Sequence, residues 1–212
     1  MSLETMILET IVTTLGADGT PHIAPFGVTR NGEDLLIAPF RPSVTLSALE
    51  ATGRAVVNLT DDARLFAGCL TGRRDWPLVP ATAIAGVRLA DSLAHWEVEV
   101  VRVEADPVRP RFHCRRVHEE AHRPFAGHNR AAAAVIEAAI LCSRLHMLPW
   151  EKVEREMAYL AIAVEKTAGA REREAWGWLC DRLAAFRAEM PATTPLPAGA
   201  EAPEMAKPQV LL

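Results

Sequence analysis

Arg41, Ser43 and Thr45 occupy alternate positions of the stretch RPSVT, between an apolar run ending at Phe40 and a segment with helical spacing. A guanidinium fork, two hydroxyls and the free amides of a helix N-terminus are what a phosphate dianion requires. The same residues also make an ordinary helix start, with Ser43 as N-cap, Pro42 presetting the turn and Arg41 in solvent. A second candidate lies upstream, where Ala24-Pro25-Phe26-Gly27 places a proline inside a β-like run. Proline cannot donate to a strand ladder and so marks an edge or a rim. A strand edge beside an apolar slot suits a flat heterocycle with alternating donors and acceptors. A strand bent at a barrel corner explains the same residues.

A third pattern is HEEAH at residues 118–122, which satisfies H-E-x-x-H, with His128 where longer metalloprotease motifs place a third histidine. That longer motif needs glycine at position 125, where this chain has Phe125 after Pro124, and Pro124 disfavours helical geometry at Arg123. The segment reads as a polar connection, so no resident metal is expected. A zinc metalloprotease is the remote alternative, and incidental metal binding would draw on His113, His118 and His122.

The elements that must position these residues follow from period and turn signals. ETIVTTL (9–15), PHIAPFGV (21–28) and LLIAPF (35–40) read as strands joined by turns at Asp18-Gly19 and Asn31-Gly32. Residues 43–52 have helical spacing, with Ser47-x-x-Glu50 as a capping-box pattern and Gly53 as terminator. RAVVNLT (54–60) is a buried-looking strand, 61–82 is irregular, and strands follow at GVRLA, 94–106 and RPRFHCRRVHEE. Asn129 opens an alanine-rich helix over 129–148, and two amphipathic helices follow, from Trp150 and from Arg171. The expected fold is α+β, an antiparallel barrel of about six strands with one helix after the third and a helical C-terminal region. The expected division is a barrel domain over 1–120, helices over 121–190 and a disordered Pro/Ala-rich tail over 191–212.

Bulk properties narrow the function classes. Half of the 212 residues are hydrophobic, and the formal net charge of -4 gives no electrostatic pull toward nucleic acid or anionic membrane. The longest apolar stretch, 131–142, contains Glu137 and is too short to span a bilayer, while Glu4 and Glu9 interrupt any secretory core. Four scattered cysteines without a C-x-x-C pair fit reduced thiols, and a cytoplasmic location is expected. No G-x-G-x-x-G, Walker A or G-x-S-x-G sequence occurs, which argues against dinucleotide-fold, P-loop and serine-hydrolase chemistry.

The order hairpin, APFGV, third strand, RPSVTLSAL, AVVNLT resembles the FMN-binding split barrel of flavin-reductase-like proteins. More narrowly, ETIVTT, IAPFGV, NLTDD and NRAAAAVIEAAILCSRLHMLP resemble family 447 of domains of unknown function, over roughly residues 7 to 185. The resemblance implies non-covalent FMN in a homodimer with sites at the interface, and a small-molecule redox substrate, with a pterin of one-carbon metabolism as one candidate. It implies phosphate contacts from Arg41, Ser43 and Thr45. Ala24, Pro25, Phe26, Gly27 and Asn58 would border the ring, with Thr13 also at the cofactor. Asn129 and Arg130 would lie near the flavin or the subunit interface. Ala48 departs from the asparagine common in reductases, and the stretch near Trp76 has no counterpart. No residue is a convincing proton donor or nucleophile, so a binding or storage protein without turnover is the alternative to an oxidoreductase.

Overall fold

The computed structural model describes residues 5–32 and 34–190. β1 (Thr5–Leu15) and β2 (Pro21–Asn31) form a long antiparallel hairpin, registered from Thr5↔Asn31 to Leu15↔Pro21. Its turn places Gly19 at φ 81°, a conformation open to glycine, and the Asp18 carboxylate accepts from the Thr20 amide at 3.0 Å. There follow β3 (Asp34–Ile37), α1 (Val44–Thr52), β4 (Arg54–Leu59), α2 (Arg64–Leu70), β5 (Leu78–Pro80) and β6 (Val87–Leu89). β7 (Ala94–Glu104), β8 (Arg111–Ala121), α3 (Arg130–Ser143), α4 (Trp150–Thr167) and α5 (Ala170–Glu189) complete the order.

Six strands close into a barrel in the order β1-β2-β3-β8-β7-β4, antiparallel throughout, with β4 returning to β1. Closure leaves no long unpaired edge, which is the physical reward of this topology. Strand alternation then builds two cores. Val12, Val28, Ile37, Val57, Trp96, Val98 and Phe112 fill the barrel, joined by Leu46 and Leu49 of α1. Ile11 and Ile23, on the outer side of the same strands, pack with Phe66 of α2, Val135 and Ala138 of α3, and Leu179 of α5. Each of the larger side chains contributes about 1.5–3 kcal/mol through burial, so the helices are fastened to the barrel wall by one continuous apolar layer.

The segment 61–82, irregular by its sequence signals, contains α2 and β5, and β5 pairs with β6, the strand expected at GVRLA. RLFAGCL is buried from Leu65 to Cys69, so it has no polar face and no amphipathic period to detect. Its start is secured by Asp62, whose carboxylate accepts from the Arg64 amide at 3.0 Å. β3 ends at Ile37, and Ala38 instead offers its carbonyl to Arg109 Nε at 2.8 Å. The Ser47–Glu50 box does not form. Ser43 is the N-cap of α1, Ser47 lies one turn inside, and Glu50 pairs with Arg41. The alanine helix α3 stops at Ser143, short of residue 148. The expected disordered tail, 191–212, lies outside the described residues. Among the described residues no helix is long and apolar enough to cross a membrane.

Candidate functional site

The RPSVT stretch forms a strand-to-helix junction. Ser43 is extended (φ -154°, ψ 156°), and its Oγ accepts from the Leu46 amide at 3.2 Å. The first-turn amides beside it have no intrahelical acceptor, the general condition of a helix start. Arg41 reaches along α1 to Glu50 at 3.0 Å, both side chains about half exposed, while its own amide donates to Val108 O at 2.9 Å. Thr45 differs from its two companions. It is 2% exposed and turned into the packed side of α1, so Arg41 and Ser43 are the accessible pair. Arg109, which belongs to no local motif, adds a second guanidinium 4.9 Å from the Phe40 ring. Phe40 and Val44 are each 57% exposed, leaving an apolar surface beside these cations.

The Ala24–Gly27 stretch sits in the middle of β2. β3 pairs only with Thr29 to Asn31, so Pro25 lies on a part of β2 that β3 does not cover, where a missing N–H is tolerated. Thr10 Oγ1 donates to Phe26 O at 3.0 Å and fixes the strand. Pro25, Phe26 and Gly27 line a cavity of about 180 Å³ whose far wall is Phe66 and Leu70 of α2 and Ile136, Ala139 and Ile140 of α3. Ala24, half-buried, precedes that wall. At Gly27 a Cβ would come within 3.0 Å of Ile7 Cγ2 and 3.5 Å of Glu9 Oε1, so glycine keeps the slot open. Leu70 also borders a wider cleft of about 400 Å³, between Thr71 and Arg73 on one side and Trp178, Asp181 and Arg182 on the other.

Glu9 on β1 lines the slot and was not among the residues expected there. Burial, then the nearby Glu137, push its carboxyl above the ordinary range, against a smaller opposing pull from Arg144. Glu9 borders the slot with an exposed side chain, and the shift of its carboxyl is one of direction, toward the protonated form. Its only sequence signal was an acid interrupting a β-like run.

Asn58 and Thr13 do other work. Asn58 is 0% exposed, and its Nδ2 donates to Ile11 O at 2.9 Å and Thr13 Oγ1 at 3.2 Å while its Oδ1 accepts from the Leu89 amide at 2.8 Å. Thr13 Oγ1 donates to Val87 O at 2.5 Å. Together they bolt β6 onto β1 and β4, with both the nitrogen and the oxygen of the Asn58 amide engaged. Asn129 is the N-cap of α3, its Oδ1 accepting from Ala131 at 2.8 Å and its Nδ2 donating to Thr167 O at 3.1 Å, and Arg130 beside it is exposed. The structure therefore brings Pro25, Phe26 and Gly27 together, groups Arg41 with Ser43, and places Thr13 with Asn58 in a separate buried network.

HEEAH is not helical. It lies at the end of β8 and beyond, where His118, Glu120 and His122 share one face and Glu119 points the other way, so the helical zinc-protease geometry is absent. β7 supplies what the motif lacked. His95 lies opposite Glu120 and Glu97 opposite His118, both with side chains 0% exposed. His95 Nδ1 is 2.9 Å from His122 Nε2, with the rings nearly parallel at 9°. His95 Nε2 is 3.1 Å from Glu97 Oε1. His113 stands apart, further back along β8, between Arg102 and Glu104.

Comparison with known proteins bears on most of the chain. Residues 8–123 match the family described as protein of unknown function (DUF447) N-terminal domain, and 129–181 match protein of unknown function (DUF447). Among solved structures, an FMN-bound DUF447 protein from Methanosarcina mazei superposes with TM-score 0.74 at 19% identity, covering 86% of this chain and 97% of that one. A 2-nitrobenzoate 2-nitroreductase from Pseudomonas fluorescens gives TM-score 0.47 at 20% identity, over 54% of this chain and 64% of that one. A flavoredoxin from Methanosarcina acetivorans gives 0.48 at 14% identity, over 56% and 69%. No curated protein matches this chain.

Proposed function

Since the chain belongs to the DUF447 family, we propose that it is an FMN-binding flavoprotein, and that it works as an oxidoreductase whose flavin sits at a homodimer interface. The observation that carries this reading is the superposition, over nearly the full length of both chains, on a family member that holds FMN.

The residues present fit the group in two places. At the phosphate end, Arg41 and Ser43 offer a guanidinium and a hydroxyl beside the first amides of α1, the donor set a dianion selects. Arg41 leaves Glu50 to engage phosphate at little cost, because an exposed ion pair is worth only about 0–1 kcal/mol. At the ring end, the backbone of Ala24 to Gly27 borders an apolar slot walled by Phe66, Leu70 and Ile136. Those side chains exclude water, and Gly27 admits the close approach of a flat edge. Glu9 stands on the same wall, its carboxyl raised above the ordinary range by burial and by Glu137.

The slot, at about 180 Å³, is smaller than the roughly 300–1,000 Å³ usual for a ligand site. A single protomer thus supplies part of the enclosure, and a second copy completes it. Met6, Ile7, Phe40 and Val44, between 47% and 57% exposed, are the apolar surface available for that contact. FMN, when bound, supplies hydride and electron transfer at its ring, while the chain supplies binding, orientation and dryness. Asn129 holds the start of α3, which carries the slot wall, and Arg130 beside it is exposed and accessible to a second copy.

The test is anaerobic reduction of the FMN-loaded protein by NADH or NADPH, followed by bleaching of the flavin band, with the mass in solution measured in parallel. Reduction and reoxidation by an added acceptor, in a dimer, are expected. A stable flavin complex that no nicotinamide reduces would identify a binding protein without this turnover.

A further inference from the structure

The paired strands β7 and β8 carry a polar cluster on their outer face that the flavin reading does not use. We propose that His95 Nδ1, His122 Nε2 and the Glu120 carboxylate bind a divalent transition-metal ion, with Glu97 as the group that orients His95. The ligand atoms of the three residues all lie within 4.8 Å of one another.

The case begins with His95, whose ring is fully buried. The Glu97 carboxylate accepts from the amides of Thr82 at 2.5 Å, Ala83 at 2.7 Å and Ile84 at 2.8 Å, so it is ionised and fixed. An ionised carboxylate 3.1 Å from His95 Nε2 places the ring proton there and leaves a lone pair on Nδ1. A histidine that gives one N–H to a carboxylate and presents its other nitrogen is the usual second-shell arrangement of a metal-bound imidazole. Glu97 has every oxygen engaged and therefore supports the site from behind.

His122 Nε2 faces that lone pair at 2.9 Å. Two nitrogens each about 2.0–2.1 Å from one metal lie about 2.9 Å apart at a right angle and about 3.4 Å apart at the tetrahedral angle. The observed spacing already equals the shorter edge. His122 is set by its backbone, whose amide donates to Leu93 O at 2.7 Å. Glu120, directly across from His95 on β8 and exposed, adds an anionic oxygen from the solvent side. Two imidazoles and one carboxylate with open positions form the donor set of a 2-His-1-carboxylate site, suited to zinc, iron, cobalt or nickel rather than to calcium or magnesium.

His118 supplies an independent sign. Its Nε2 is buried and without a hydrogen-bond partner among the described residues, 3.8 Å from Glu120 Oε2 and on a ring 5.6 Å from that of His95. A buried imidazole nitrogen with no partner is costly unless something occupies the space beside it. A metal ion with its bound water satisfies it. The nearby guanidiniums do not block the site, since Arg88 donates to Leu89 O and Ala90 O, and Arg123 to Asp91 O.

The experiment uses the full chain without a histidine tag, stripped of metal and titrated with Co²⁺ and then Zn²⁺. One equivalent of Co²⁺ should give visible d–d absorption that one equivalent of Zn²⁺ displaces. His122→Ala and Glu120→Gln, both at accessible positions, should weaken Zn²⁺ binding at least 100-fold and 10-fold, with far-ultraviolet circular dichroism confirming that they fold. His113→Ala should bind as the parent chain does. Absence of the cobalt bands, or Zn²⁺ binding unchanged in His122→Ala, overturns the proposal. The result is independent of FMN, because the apoprotein is used and flavin affinity is read separately.

Discussion

Glu97 Oε1 lies 3.1 Å from His95 Nε2, two positions apart on the same face of β7, and both side chains are wholly buried. The pair joins the barrel wall to the loop that covers it. Burial pushes the Glu97 carboxyl up, but the amides of Thr82 and Ala83, His95 and the amide of Ile84 outweigh it and hold the group below its ordinary value. A buried charge answered by four donors is structural before it is anything else.

Replacing Glu97 with glutamine leaves one oxygen to meet these donors and turns an N–H₂ toward the others. The expected loss of stability is about 2–4 kcal/mol, read as a lower urea midpoint with unchanged slope. An unchanged midpoint would mean that the 82–84 loop does not depend on this carboxylate.

Arg41→Ala should weaken FMN binding about 10- to 150-fold, since a charge-assisted contact is worth roughly 1.5–3 kcal/mol. Its fold should hold, because the Arg41–Glu50 pair is half exposed and such pairs contribute about 0–1 kcal/mol. Isothermal titration and thermal melts on the same preparation separate the two effects.

Glu9 gives a pH signature. Its carboxyl is raised in the fold by burial and Glu137, so its favourable contribution is complete below the unfolded pKa and is lost as pH rises through the raised folded value. Glu9→Gln should therefore match the parent chain near pH 4 and melt higher than it near pH 8. A temperature difference that stays flat with pH would refute the upward shift of the Glu9 carboxyl in the fold.

Thiol accessibility checks the packing. Burial raises Cys69 and Cys142 to about 11 and Cys114 to about 12, whereas Cys180 is exposed. Of the four cysteines, one should react with Ellman's reagent in the native protein at pH 8, and all four after denaturation.

The barrel was legible because its signals are local. Asp18-Gly19 and Gly53 mark turn and cap, and alternation along 94–104 separates an inner from an outer face. The helix α2 was hidden by its own burial, since a segment apolar on every side carries no period. The site was legible only by type. Arg41 and Ser43 announce a helix start that can take an anion, yet Thr45 fits the same pattern and is turned into the core. Asn58, read as a ring neighbour, is spent on β6, a partner that no spacing rule connects to it. His95 was missed because its bond to His122 spans 27 residues and depends on the β7–β8 register.

The most direct test of the central claim is an equilibrium titration of the apoprotein with FMN, followed by flavin fluorescence. One FMN per protomer with micromolar or tighter affinity, and the visible spectrum of a bound flavin, is the predicted result. Fluorescence that stays that of free FMN at micromolar protein would contradict it.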